Sequence, residues 1–213
     1  MLDGFVSGPN NETKSYGVIM AEHIHSGRNN VDKSERERFY WQMPNRVIES
    51  IGIRKGMVVA DFGSGSGYFT RRLARYVGQT GNVYAIDSDI DELHLLIQPS
   101  DNDANNIIPV SISEMELELP SQVINVVLMV NVLHLIPDFS DISRKLRNAM
   151  KTDGTLAVVQ WDAEKMSHEL SDWSKKDRDL YTMRTTLKKI YETQWEVIRM
   201  EHFLPMQNIY ICR

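Results

Sequence analysis

The most constraining stretch of the chain is VVADFGSGSGYF, where a β-branched apolar run opens into Gly63, Gly65 and Gly67 at every second position. A run of that kind reads as a buried strand. The glycines let the following turn take positive φ and let another backbone or a ligand come close. Behind them Phe69, Leu73, Tyr76 and Val77 fall at i, i+4, i+7 and i+8, one face of a helix from 68 to 77, with Gly78 as its stop. Strand, tight glycine turn and helix follow one another directly, so the strand is packed under its own helix.

The same alternation continues. A helix begins at Pro44 and ends at Gly52, with Val47, Ile48 and Ile51 on one side. Proline suits a first helical turn, where its missing N–H had no partner anyway. Strands are predicted at 57–62, 82–87, 107–112 and 123–130, and short helices at 89–98 and 139–151. VINVVLMV is apolar nearly throughout, as a central parallel strand covered on both faces should be. Asp153-Gly154 is expected to turn the chain into a strand over 155–161. A charged helical region follows from 167 to 193, then two strands, WEVIRMEHF and QNIYICR. This order predicts a three-layer α/β domain with a mainly parallel sheet. The last two strands have no helix between them and should pair antiparallel at one edge. Ligands in such sheets bind beyond the carboxyl ends of the strands, where strand order reverses.

Composition narrows the class. The 213 residues carry 24 Lys and Arg against 29 Asp and Glu, a net charge of −5, and are 42% hydrophobic. That supports one domain with a good core and argues against broad nucleic-acid binding. Cys212 is the single cysteine, which excludes an intramolecular disulfide and a Cys-rich zinc site. The start lacks a basic segment followed by an apolar run, and the longest apolar stretch, Val123 to Ile136, is interrupted by Asn125, Asn131 and His134. The expectation is a soluble, reduced, cytoplasmic protein, monomer or homodimer, with no membrane span. Residues 1–33, rich in Gly, Asn and Ser, read as a flexible arm, and 34–213 as the domain.

Three binding chemistries compete for the glycine loop. A phosphate-binding P-loop needs a Lys after its last glycine, and none follows. A dinucleotide fingerprint needs GxGxxG, but Tyr68 stands where the third glycine belongs and should crowd the helix N-terminus that receives a diphosphate. The third pattern, acid-x-GxGxG with Asp61 as the acid, suits a ligand with a charged amino-acid moiety and no phosphate. A merely structural turn is the fourth possibility. Twenty residues beyond Gly67, Asp87 ends the second strand. There a carboxylate can accept both hydroxyls of an adenosine ribose.

With WQMPNRVI ahead of the fold, VVADFGSGSGYFTRRLARYVG, GNVYAIDSD, LPSQVINVVLMVNVLHLIPD, MKTDGTLAVVQWD and HFLPMQNIYICR, the chain from about Trp41 onward resembles the class I S-adenosylmethionine-dependent methyltransferases, in particular the small UbiE-like and arsenite-methyltransferase-like group. The resemblance implies a Rossmann-like seven-stranded sheet of order 3-2-1-4-5-7-6 with strand seven antiparallel. It also implies methyl transfer from S-adenosylmethionine to a small-molecule acceptor, with S-adenosylhomocysteine as product. Carried over by position, Asp61, Gly63, Ser64, Gly65 and Gly67 form the loop that holds the methionine part. Asp87 takes the ribose diol, Ser88 lies along the adenine, and Asn131 approaches the methionine end.

The pattern is broken twice. Family members usually have Asp-Ala after the third strand, with Asp on the adenine amino group; here Ser113 and Glu114 stand there. A serine is an uncharged acceptor, and the exchange should weaken binding by roughly tenfold. Asn125 replaces a usual Asp early in the fourth strand, where it is expected to keep a structural hydrogen bond. These departures leave a catalytically degenerate, cofactor-binding scaffold as the alternative function, and a nicotinamide-dependent oxidoreductase as a further one. On the acceptor side His134 is the candidate general base, with a loop-capping or packing histidine as the competing reading. His23 and His25 form an HxH pair with no identifiable third ligand, so no metal site is assigned. Cys212 alone does not supply the cysteines that arsenic methylation uses.

Overall fold

The computed structural model describes residues 38–98, 105–112, 117–166 and 174–213. The expected arm, 1–33, lies outside them, as do Ser113, Glu114, His23 and His25. The chain enters through a helical stretch at 38–42 and α1, Pro44–Ser50, with its proline in the first turn. Then follow β1 (Val58–Phe62), α2 (Thr70–Val77), β2 (Asn82–Asp87), α3 (Ile90–Leu96), β3 (Ile107–Ser111) and β4 (Ile124–Val130). A single 3-10 turn, Leu133–Leu135, leads into α4 (Ser140–Ala149) and β5 (Met150–Trp161). The chain closes with α5 (Lys175–Asp179), α6 (Met183–Glu192), β6 (Val197–Glu201) and β7 (Gln207–Cys212).

The seven strands form one sheet in the order β3-β2-β1-β4-β5-β7-β6. β1 to β5 run parallel, and β7 is antiparallel to both β5 and β6. This is the order and the edge hairpin that the sequence predicts. Strand alternation divides the core into two layers. Ala60, Phe62, Val127, Met129, Leu156, Val158 and Tyr210 face α4 and α6 through Leu146, Ile190 and Trp195. Val59, Val126, Leu128, Ala157, Val159, Ile209 and Ile211 face α1 and α2 through Ile48, Leu73 and Val77. Burying both faces explains why the middle of β4 and the run Leu156 to Val159 in the second half of β5 are apolar. Cys212 is fully buried on β7, and burial pushes its thiol up to about 12, with Arg147 pulling weakly the other way.

Two expectations need correction. Asp153-Gly154 does not precede a strand; it lies inside the twelve residues of β5. Ile124 pairs with Met150 and Val126 with Thr155, so extra residues on β5 bulge out between two paired positions. The described part of the 167–193 region is not one helix. It breaks after Asp179, and Thr182, extended at φ −75 and ψ 148, caps α6 by accepting from the Thr185 N–H. Among the described residues no helix is long and apolar enough to cross a membrane.

Asn125 does keep the structural bond. Its Oδ1 accepts from the Val58 N–H at 2.9 Å, tying the entrance of β4 to that of β1, and Lys151 Nζ reaches the same oxygen at 3.4 Å. Asn125→Ala should therefore lower stability by about 1 kcal/mol through the stranded N–H. Asn125→Asp, which keeps the acceptor, should match or exceed the parent in thermal unfolding.

Candidate active site

β1 lies between β2 and β4, so the direction of strand order reverses between β1 and β4, and the crevice opens at their carboxyl ends. The glycine loop forms its floor. Gly63 N–H and Ser64 N–H both donate to the Ile86 carbonyl, at 2.8 and 3.1 Å, and Gly67 N–H donates to the Ser64 carbonyl at 3.0 Å. All three glycines have positive φ. A side chain at Gly63 would strike Val132, with Cγ2 at 2.8 Å, and one at Gly67 would strike Leu96. A Cβ at Gly65 would meet no atom within 4 Å. The loop is packed from beneath at its two ends and open above its middle.

Asp87 is joined to that open middle. Its Oδ2 accepts the Gly65 N–H at 2.7 Å and its Oδ1 the Asp89 N–H at 3.0 Å. The half-buried carboxylate is thus oriented by two backbone donors, and each oxygen retains acceptor capacity for a further hydroxyl. Ser88 beside it is exposed. Asp61 is 2% exposed and accepts the Thr70 hydroxyl at 2.6 Å. It acts as a cap for α2, whose own N-cap residue, Phe69, supplies none. Burial raises the Asp61 carboxyl to about 6; the Thr70 hydroxyl, the charge of Arg38 and the Thr70 N–H oppose this, and Asp87 adds to it. Ser64 is buried, and its Oγ has no partner. An orphaned hydroxyl, an open glycine and two carboxylates at one crevice fit a ligand that brings a diol and a cationic group.

Tyr68 does not crowd the helix N-terminus. Its ring is 3% exposed and packs in the core between the guanidinium groups of Arg38 and Arg72, each 4.0 Å from the ring centre. The case against a diphosphate rests instead on the glycine spacing and the missing lysine.

At the exit of β4, Asn131 adopts φ 55, and its Oδ1 accepts from Gln207 Nε2 at 2.7 Å. A polar chain continues from it: Gln42 Nε2 reaches Gln207 Oε1 at 3.4 Å, and Arg38 Nε donates to Gln42 Oε1 at 2.5 Å. His134 sits on the 3-10 turn, with Nδ1 2.9 Å from Gln160 Nε2 and its ring centre 4.8 Å from that of Tyr181. Burial holds its pKa below the ordinary value; the charge of Lys189 acts the same way, and the Gln160 contact opposes both. The structure thus gathers Asp61, Gly63, Ser64, Gly65, Gly67, Asp87, Ser88 and Asn131 about one crevice, with His134 on the turn that follows Asn131. Gln42, Gln160 and Gln207 went unnoticed in the sequence. A lone glutamine carries no motif, and its partners arrive from distant strands.

Residues 53–201 match the family described as a methyltransferase domain. The chain belongs to that family. It is 26% identical over 132 residues to the demethylmenaquinone methyltransferase of Staphylococcus aureus strain MRSA252, an alignment covering 62% of this chain and 53% of that protein. The chain thus spans about half the length of this curated relative. A SAM-dependent methyltransferase from Aquifex aeolicus superposes with a TM-score of 0.68 at 19% identity, covering 82% of this chain and 91% of that one. A Pyrococcus horikoshii protein superposes with a TM-score of 0.69 at 12% identity, covering 91% and 98%. At those identities the likeness concerns the fold, which is that of the class I methyltransferases.

Proposed function

We propose that this methyltransferase-domain protein transfers a methyl group from S-adenosylmethionine to a small-molecule acceptor and releases S-adenosylhomocysteine. The observation that carries the reading is the joint between Gly65 and Asp87. One backbone N–H fixes a carboxylate at the end of β2, directly beside the loop position with open space above it. In the proposed complex Asp87 accepts the ribose hydroxyls and Ser88 lies along the base. Gly63, Ser64, Gly65 and Gly67 line the methionine part, and the unpaired Ser64 hydroxyl finds its partner there. Asp61 faces the α-ammonium directly or through water, and Asn131 presents its amide N–H2 at the β4 exit. Ser113 and Glu114 belong to the same proposal as the adenine-edge residues.

Bound there, the sulfonium compound supplies an already activated methyl group. What remains for the chain is to orient the acceptor, exclude water and remove a proton. His134, whose burial favours the neutral ring and which lies on the turn after the β4 exit, is the proposed general base.

Isothermal calorimetry with S-adenosylmethionine, S-adenosylhomocysteine and NAD tests the reading. Both sulfur compounds should bind and NAD should not. Asp87→Ala should weaken the two by about 1.5–3 kcal/mol, the value of a hydrogen bond to a charged group. Absence of binding by either sulfur compound overturns the proposal. Binding without turnover across acceptor classes would favour the degenerate scaffold.

A further inference from the structure

S-adenosylmethionine carries a carboxylate beside its α-ammonium. The charged residues assigned so far around the glycine loop, Asp61 and Asp87, are both acidic, so a carboxylate brought beside them needs a cation within reach. Arg38 is the cation that the fold delivers there. It lies in the helical stretch at 38–42, and two contacts fix its half-buried side chain. Its guanidinium stacks on the Tyr68 ring at 4.0 Å, and Tyr68 directly follows Gly67, the last glycine of the loop. Its Nε donates to Gln42 Oε1 at 2.5 Å. Gln42 and Gln207 are fully buried, and through their amides the connection runs on to Asn131 at the β4 exit.

Arg38 is therefore tied at once to the glycine loop and to the β4 exit, two edges of the crevice. Its charge also acts on Asp61, opposing the effect of burial on that carboxyl. Arg72, against the same tyrosine ring, belongs to α2 and turns its Nη1 to the Tyr68 carbonyl at 2.5 Å. A guanidinium is a planar fork of N–H groups that matches a carboxylate two-pronged, and an aromatic face beneath it holds the plane. We infer that Arg38 binds the α-carboxylate of S-adenosylmethionine, and that Tyr68 and Gln42 are positioning residues that hold its guanidinium at the crevice. The inference rests on the methyltransferase reading above. Asp61 and Arg38 then meet the two charges of one amino acid, anion to ammonium and cation to carboxylate. Tyr68, which breaks the dinucleotide pattern, becomes the platform for a ligand-binding cation.

The probe is decarboxylated S-adenosylmethionine, which keeps the adenosine, the sulfonium and the amine. A control ligand, 5′-methylthioadenosine, lacks both charged groups of the amino-acid end. By calorimetry the parent should bind S-adenosylmethionine about tenfold to a hundredfold more tightly than the decarboxylated compound. Arg38→Met, which keeps a side chain over Tyr68, should lose that preference by binding S-adenosylmethionine more weakly and the decarboxylated compound no worse. Arg38→Lys, which keeps the charge without the fork, should fall between the two, and Gln42→Met should lose part of the preference. Asp61→Asn should weaken both amine-bearing compounds together and leave their ratio unchanged. Affinity for 5′-methylthioadenosine should not respond to the Arg38 and Gln42 substitutions, as it would if these residues served only the fold. The comparison within the parent needs no substitution, so the test survives a variant that does not fold. If the parent fails to bind S-adenosylmethionine, the methyltransferase reading falls and this inference with it. If the parent binds it but shows no preference over the decarboxylated compound, or if Arg38→Met weakens all three ligands alike, the inference alone falls.

Discussion

Asp61→Asn is expected to make the protein more stable and a poorer binder at once. The folded state raises the carboxyl from 3.8 to about 6 by burial, so between those values it holds a proton that the unfolded chain has released. Stability from this group is therefore complete below 3.8, declines as pH rises through the interval, and is flat above about 6. A shift of that size corresponds to about 3 kcal/mol. Asparagine keeps an acceptor for the Thr70 hydroxyl without the buried charge. The variant should gain about 1–3 kcal/mol above pH 6, a rise of several degrees in unfolding temperature, and the advantage should vanish toward pH 4. Binding should move the opposite way. Loss of the negative partner should weaken S-adenosylmethionine by about tenfold to a hundredfold. Parent affinity should fall as pH drops through about 6, and that dependence should disappear in the variant. Calorimetry and thermal unfolding on both sides of that pH check both halves. Unchanged affinity would remove Asp61 from the ligand.

The second large effect separates two glycines a residue apart. Gly65→Ala adds a methyl where no atom lies within 4 Å, and Gly63→Ala adds one 2.8 Å from Val132 Cγ2. Both positions have positive φ, 49 and 78, a strain of about 1–2 kcal/mol for alanine. Gly63→Ala must also displace a β-branched residue next to Asn131, so it should lose about 2–4 kcal/mol of stability. Gly65→Ala should lose no more than that strain in unfolding, and should place its methyl in the space proposed for the ligand. Its loss of S-adenosylmethionine affinity should exceed its loss of stability. Equal binding by Gly65→Ala and the parent would show that the space is not used.

Much of the fold was legible because buried parallel strands advertise themselves. β2 spans 82–87 as the sequence predicts, and the lack of a helix between the last two strands already implied their antiparallel pairing. The signals that misled are local and ambiguous. Asp-Gly suits a turn and a bulge equally, and only the pairing of Ile124 with Met150 decides between them. Thr182 caps a helix through its own conformation, which composition does not reveal. At the site, Asp61, Asp87 and the glycines were readable from spacing. The Gln207 amide on Asn131 and the Gln160 amide on His134 were not, because each joins residues far apart in the sequence.

The position of Cys212 makes the protein convenient to instrument. A thiol enclosed on both sides by sheet and helix, and so reluctant to ionise, will not compete for maleimides or spin labels. A cysteine introduced at an exposed residue such as Leu135, next to His134, would become a unique attachment point. Fluorophores or nitroxides placed there could follow the turn while ligands are added, with the native sequence otherwise intact.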